Sequence, residues 1–263
     1  MTEKISFIGT GKMAAALISC VYNKNFKITA SDHNINNLKK IKKQFKIKTT
    51  TNNKEAAENS DIVFICVKPQ DIDNVLNEIK NKIKDQLVVS IAAGIKLSYL
   101  EKRLKNKSVI RVMPNINCLV GEMAAGFSAG KHATRSDIKN INKILSSAGL
   151  AFEIKEELLD VVTAISGSGP AFFAYFIRAF AEAGIKKGLP RDTAFKLAAQ
   201  TCLGTGKFIL RSNLSPDELI KMVSSKNGTT EAGLKILKKY KAKIIIDKTV
   251  DSAFKRSKEL GKR

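Results

Sequence analysis

The sequence predicts an α/β chain, a doubly wound and mostly parallel sheet followed by an all-helical region. Three observations predict it. The first half alternates short β-branched runs with helical patterns, the order that builds βαβ units. One of those runs, DIVFICV at Asp61–Val67, is continuously apolar after its first residue, as expected of a central strand covered on both faces. From Leu158 onward there is no strand pattern, and small residues and helical periods dominate. A boundary near residue 157 divides the chain into 1–157 and 158–263.

Strands are expected at Lys4–Gly9, Ile28–Ser31, Ile47–Thr50, Asp61–Val67, Gln86–Ile91 and Val109–Met113, with another at Ala125–Ser128 and an edge strand at Ala151–Ile154. Helices are expected at Lys12–Tyr22, Asn36–Phe45, Asn52–Asn59, Ile72–Ile83 and Ser136–Ala148. In the second half, Pro170–Lys187 stops at Gly188, and Leu189-Pro190 opens Arg191–Leu210. Ser215-Pro216-Asp217-Glu218 has a capping serine, proline at the first helical position and acids in the first turn. Thr229–Lys239 and Ile244–Leu260 complete the series. The stretch AFFAYFIRAFAEAGI is apolar on most faces, so it must be buried in its own domain or against a second subunit. The second half is short, which favours a dimer interface.

Composition narrows the function. The formal charge of +22 invites a nucleic-acid reading, but only 8 of the 46 basic residues are arginine, and the lysines are scattered. No aromatic residues interleave them as a base-stacking platform requires, so no nucleic-acid partner is expected. No run approaches the roughly 18 apolar residues of a membrane span, and the start, MTEKISFIGTGK, lacks the shape of a signal peptide. A cytoplasmic protein without a membrane partner is expected. Four separated cysteines and two histidines give poor support for a metal site.

Gly9-Thr10-Gly11-Lys12-Met13-Ala14 is a G-x-G-x-x-A turn between a strand and a helix, the context of a dinucleotide-binding Rossmann domain. Gly9 permits the tight turn, Gly11 lets a pyrophosphate approach the backbone, and Ala14 permits close helix–strand packing. At the end of the second strand, Asp32 can accept from the ribose 2′-hydroxyl of NADH. Alternatively Ser31, His33 and Asn34, helped by Lys39, can donate to the 2′-phosphate of NADPH, or Asp32 can simply cap the next helix. Lys68-Pro69 ends the fourth strand at the edge where ligands bind in open α/β sheets. Ala92-Ala93-Gly94 and Pro114-Asn115 reach the same edge, where they would floor the nicotinamide pocket.

Two segments of the second half stand out. Ser166-Gly167-Ser168-Gly169-Pro170 reads as a bare backbone corner ahead of a helix. Ser224–Leu234 holds an Asn227-Gly228 turn and a helix start at Thr229 or Thr230. Backbone N–H groups at such a junction form an anion nest suited to a carboxylate, with Ser225 and Thr230 adding hydroxyls. An ordinary capped helix explains the same residues equally well.

Together GTGKMAAAL, VKP, RVMPN, SGSGPAFF and this last loop resemble the pyrroline-5-carboxylate reductase family over essentially the whole chain. Relatives more often read SPGGTT where this chain has Lys226 and Asn227. The resemblance implies a Rossmann domain followed by an all-α dimerisation domain, a homodimer or a ring of dimers, and reduction of 1-pyrroline-5-carboxylate to L-proline with NADPH or NADH. It implies that Thr230 hydrogen-bonds the substrate ring nitrogen and that Ser225, Gly228 and Thr229 hold its carboxylate. Gly9, Gly11, Ala14 and Lys68 match cofactor positions. A β-hydroxyacid dehydrogenase has a similar layout but needs a lysine soon after a G-x-G, and Gly169 is followed by PAFFAY.

Overall fold

The computed structural model describes residues 2–22 and 24–261, so residues 1, 23, 262 and 263 of the two expected domains lie outside it. Two compact units are present, Met1–Ser168 with Ala253–Arg263, and Gly169–Ser252.

The first unit is built on eight strands: β1 (Glu3–Ile8), β2 (Phe26–Ser31), β3 (Lys48–Thr50), β4 (Ile62–Ile65), β5 (Leu87–Ser90), β6 (Val109–Met113), β7 (Met123–Ala129) and β8 (Gly149–Glu153). They form one sheet in the order β3-β2-β1-β4-β5-β6-β7-β8. Every pairing is parallel except β6 with β7. The strand order reverses between β1 and β4, which opens a crevice at their carboxyl ends. The helices are α1 (Lys12–Val21), α2 (Ile35–Phe45), α3 (Asn53–Glu58), α4 (Ile72–Ile79), α5 (Leu97–Arg103), α6 (Arg135–Ser146) and α7 (Leu159–Val162).

Side-chain alternation along the central strands explains the two-sided core. Ile5, Phe7, Ile62 and Phe64 face one layer with Leu17, Ile18 and Ile141, whereas Ile8, Val63 and Ile65 face the other with Leu76, Ile79 and Leu100. Phe7 and Phe64 stack across neighbouring strands with ring centroids 4.9 Å apart. α5 has no counterpart among the expected helices. It is seven residues long and begins at Lys96 without a side-chain cap, so it carries neither signal that marks a helix in sequence.

The expected corner at Ser166–Pro170 is instead helical. Thr163–Gly167 forms a wide π-type turn between α7 and α8 (Gly169–Ile185), closed by the Ser168 N–H donating to the Thr163 carbonyl at 2.8 Å. The Ser166 hydroxyl donates back to the Val162 carbonyl at 3.2 Å, so the chain stays wound where glycine would let it unwind. By length and composition, the continuous helical stretch Glu156–Ile185 would suffice to cross a membrane, contrary to the reading of single runs.

The second unit contains α8, α9 (Arg191–Ser212), α10 (Pro216–Met222), α11 (Thr229–Lys239) and most of α12 (Ala242–Leu260). Ser215 caps α10 as expected, accepting from the Glu218 N–H while Glu218 accepts from the Ser215 N–H. Gly188 ends the turn after α8 with φ at +97°. Few side chains of this unit are buried, and Phe173, Phe176 and Phe180 of α8 are all exposed.

Candidate functional site

The glycine turn is shaped by its neighbours. Gly9 has φ at +88°, and its N–H donates to the Ser31 carbonyl at 2.8 Å. A Cβ there would lie 2.8 Å from Val67 Cγ1 and 2.9 Å from the Cys66 carbonyl carbon, so only glycine passes. At Gly11 the backbone is extended into α1, and an added Cβ meets nothing within 4 Å. That open space borders the free N–H groups of the α1 N-terminus, where a pyrophosphate would sit.

A cleft of about 620 Å³ runs along the crevice, bordered by Gly9, Thr10, Gly11, Asp32 and Lys68 among the expected residues. Asp32 is tied into it from four directions. Its Oδ2 accepts from the Thr10 N–H at 2.8 Å, the Thr10 hydroxyl at 2.6 Å and the Asn37 amide at 3.4 Å, and its Oδ1 accepts from the Asn34 N–H at 2.8 Å. Burial works to raise its pKa, but the Thr10 hydroxyl and the other donors outweigh it, so Asp32 titrates below the ordinary carboxylate value. The helix cap considered for Asp32 is Asn34, whose side chain accepts from the Asn36 and Asn37 N–H groups.

Lys12, Met13, Ser31, Pro69, Ala92, Ala93, Gly94, Pro114 and Asn115 do not border this cleft. Ser31 is fully buried and donates to Asn53 Oδ1 at 2.6 Å. Lys12 and Met13 open α1. Lys68 precedes a 3-10 turn at Pro69–Asp71, with Pro69 at its first position. Ala92 and Asn115 are buried. Asn115 accepts from the Ala124 N–H at 3.2 Å and donates to the Ser166 carbonyl at 3.1 Å, tying the turn after β6 to the π-type turn. Pro114 is buried beside it. Ala93 is half-buried, and Gly94, with φ at +78°, lies against the backbone of Leu260 and Gly261, closer than a Cβ would allow.

Sequence reasoning missed Asn53 and Glu78. Asn53 is buried, borders the cleft, and donates to Glu78 Oε2 at 2.8 Å, while His33 Nε2 lies 3.5 Å from Glu78 Oε1. These residues come from α3, α4 and the β2–α2 loop, so no local motif could mark them.

In the second unit, Ser225, Gly228, Thr229 and Thr230 gather at the start of α11. Gly228 is the cap and supplies no side-chain acceptor, so the first-turn N–H groups have no side-chain cap. The turn is held by the Gly228 N–H donating to the Ser225 carbonyl at 3.0 Å and by the Asn227 N–H donating to Glu231 Oε2 at 2.6 Å.

A glycine turn on β1, a strand-order reversal beside it and a cleft bordered by that turn define a dinucleotide-binding Rossmann domain. Residues 4–94 match the family described as NADP oxidoreductase coenzyme F420-dependent, and residues 156–260 match pyrroline-5-carboxylate reductase dimerisation. The pyrroline-5-carboxylate reductase of Methanosarcina acetivorans is 41% identical over 99% of both chains, and that of Pseudomonas aeruginosa is 37% identical over 100% of this chain and 98% of its own. A solved pyrroline-5-carboxylate reductase from Coxiella burnetii superposes with a TM-score of 0.93 at 30% identity over the whole of both chains. The Plasmodium falciparum pyrroline carboxylate reductase with NADP bound gives 0.88 at 32% identity over 98% of each. The chain belongs to the pyrroline-5-carboxylate reductase family. The apolar stretch Glu156–Ile185 thus falls within a dimerisation region.

Proposed function

We propose that the chain catalyses the reaction for which its family is named, NAD(P)H-dependent reduction of 1-pyrroline-5-carboxylate to L-proline, the last step of proline biosynthesis. The observation that carries the substrate assignment is the uncapped start of α11, where Gly228 leaves N–H donors beside two threonines. A carboxylate is the anion suited to such a nest. The N–H groups after Gly228 and the Ser225 hydroxyl hold the carboxylate, and the Thr230 hydroxyl orients the ring nitrogen. Bound nicotinamide dinucleotide supplies the hydride for the imine carbon. Gly9, Thr10, Gly11, Lys12, Met13 and Lys68 hold the dinucleotide at the crevice, and the Ala92–Gly94 and Pro114–Asn115 turns floor it.

An imine is far more basic than a ketone, so it reaches the site protonated or takes its proton from water. The chain therefore needs no strong acid beside Thr230, and its contribution is to place donor and acceptor. The functional division is a dinucleotide domain over 1–157 and a substrate and dimerisation domain over 158–263. The enzyme works in the cytoplasm as a homodimer or a ring of dimers.

The test is NAD(P)H oxidation with 1-pyrroline-5-carboxylate; no oxidation with either cofactor overturns the activity. Thr230→Ala is expected to lower turnover by about tenfold or more, with dinucleotide affinity retained. Unchanged turnover in that variant removes Thr230 from the mechanism.

A further inference from the structure

In dinucleotide-binding sheets the adenosine ribose sits at the end of the second strand, and NADH and NADPH differ only in what its 2′ position carries. At that corner of this chain two groups that would greet a phosphate, the Ser31 hydroxyl and the His33 ring, are already engaged. Ser31 is buried and donates to Asn53. Asn34 turns its Oδ1 to two N–H groups as the cap of α2 and does not border the cleft. His33 is aimed at Glu78, with Nε2 3.5 Å from Oε1. Lys39 is exposed on α2 and does not border the cleft. Lys68, the lysine that does, follows β4, two strand positions from β2.

Two carboxylates stand at this corner. Asp32 and Glu78 both border the cleft. Asp32 is fixed in one orientation by donors on both oxygens, so it cannot swing aside for an incoming anion. A carboxylate accepts a hydrogen bond from a ribose hydroxyl but repels a phosphate, strongly so where water is partly excluded.

We propose that this chain selects NADH over NADPH, with Asp32 and Glu78 as the residues that turn away the 2′-phosphate. The relative from Plasmodium falciparum was solved with NADP bound, so the preference is proposed for this chain alone and is not carried over from that relative. The proposal rests on the dinucleotide reading of the cleft, and only its kinetic arm rests on the reductase reading.

The experiment is a fluorescence titration of the full-length protein with NADH and with NADPH, followed by kcat/KM for each with 1-pyrroline-5-carboxylate. NADH is expected to bind more tightly by about tenfold or more. NADPH binding as tight as NADH, or tighter, overturns the proposal. Asp32→Ser is expected to narrow the NADH:NADPH affinity ratio by about tenfold. Because Asp32 also holds Thr10, that variant can weaken both cofactors, so the ratio is the readout; an equal loss for both overturns the role of Asp32. Glu78→Gln keeps an acceptor for Asn53 while removing the charge, and is expected to raise NADPH affinity severalfold. An unchanged ratio in Glu78→Gln overturns the role of Glu78. Selective NADH binding without any reduction of 1-pyrroline-5-carboxylate would overturn the reductase reading and support the cofactor assignment.

Discussion

The N–H and the hydroxyl of Thr10 both donate to one oxygen of Asp32, at 2.8 and 2.6 Å. This pair locks the middle residue of the glycine turn to the end of β2. Thr10→Val keeps the side-chain shape and the N–H bond but removes the hydroxyl. The expected outcome is a loss of about 1 kcal/mol in denaturant unfolding and a severalfold rise in dinucleotide KM with kcat unchanged. A fall in kcat with KM unchanged would show that the turn matters to chemistry rather than to binding.

The same pair sets an acid limit. The Asp32 carboxyl is depressed in the folded chain, so it adds stability that is fully present above its unfolded value, about 3.9, and is lost as pH falls through the lower folded value. Asp32→Asn is therefore expected to flatten the acid side of the stability–pH curve, read from denaturant midpoints between about pH 5 and pH 2. A variant curve parallel to that of the native chain would mean that other carboxylates carry the acid dependence.

Gly9 and Gly11 answer differently to alanine. At Gly9 a methyl group meets Val67 and the Cys66 backbone with φ at +88°, so Gly9→Ala is expected to lower Tm and cofactor affinity together. At Gly11 the methyl group enters open space with φ at −69°. Gly11→Ala is expected to leave Tm within about 2 °C while cofactor affinity falls by about tenfold or more, since the methyl group occupies the approach to the N–H groups of α1. Equal effects of both variants on Tm would remove the distinction.

These contrasts show what local sequence can carry. The glycine turn and the helix start at Thr229 were legible because each is one continuous stretch with its own backbone requirement. Asp32 was legible as a position, but not as the anchor of Thr10, because that bond joins residues 22 apart. Asn53 and Glu78 were invisible for the same reason: their chemistry exists only once α3 and α4 pack beside β2. The π-type turn at Thr163–Gly167 was misread because glycine content signals an open backbone. There the gap beside Gly167 is filled by Met113, whose Cε would lie 2.7 Å from an added Cβ.

Asn227 supplies the left-handed residue of the turn before α11. Its φ is +60°, a left-handed conformation that asparagine tolerates, and its N–H donates to Glu231. Asn227→Gly is expected to keep turnover within about twofold, because glycine adopts the same φ and keeps the N–H. Asn227→Val is expected to lose about 1–2 kcal/mol and to raise the KM for 1-pyrroline-5-carboxylate. Equal KM values for the two variants would separate the turn geometry from substrate binding.

Phe173, Phe176 and Phe180 recur at helical spacing along α8, and their exposures are 60%, 42% and 69%. Rings this open to water in a row are characteristic of an interface, and the segment lies in the dimerisation match. In a two-fold assembly each of these residues occurs twice, so one substitution acts at two places. A buried phenylalanine contributes about 1.5–3 kcal/mol, and an aspartate in its place adds the cost of desolvating a charge. Phe180→Asp is therefore expected to shift the protein towards monomer in sedimentation velocity and to lower its activity. In the native chain Tm should rise with protein concentration, because association stabilises only the folded form. That rise should vanish in the variant. A sedimentation coefficient equal to that of the native chain at every concentration would place the interface on another face.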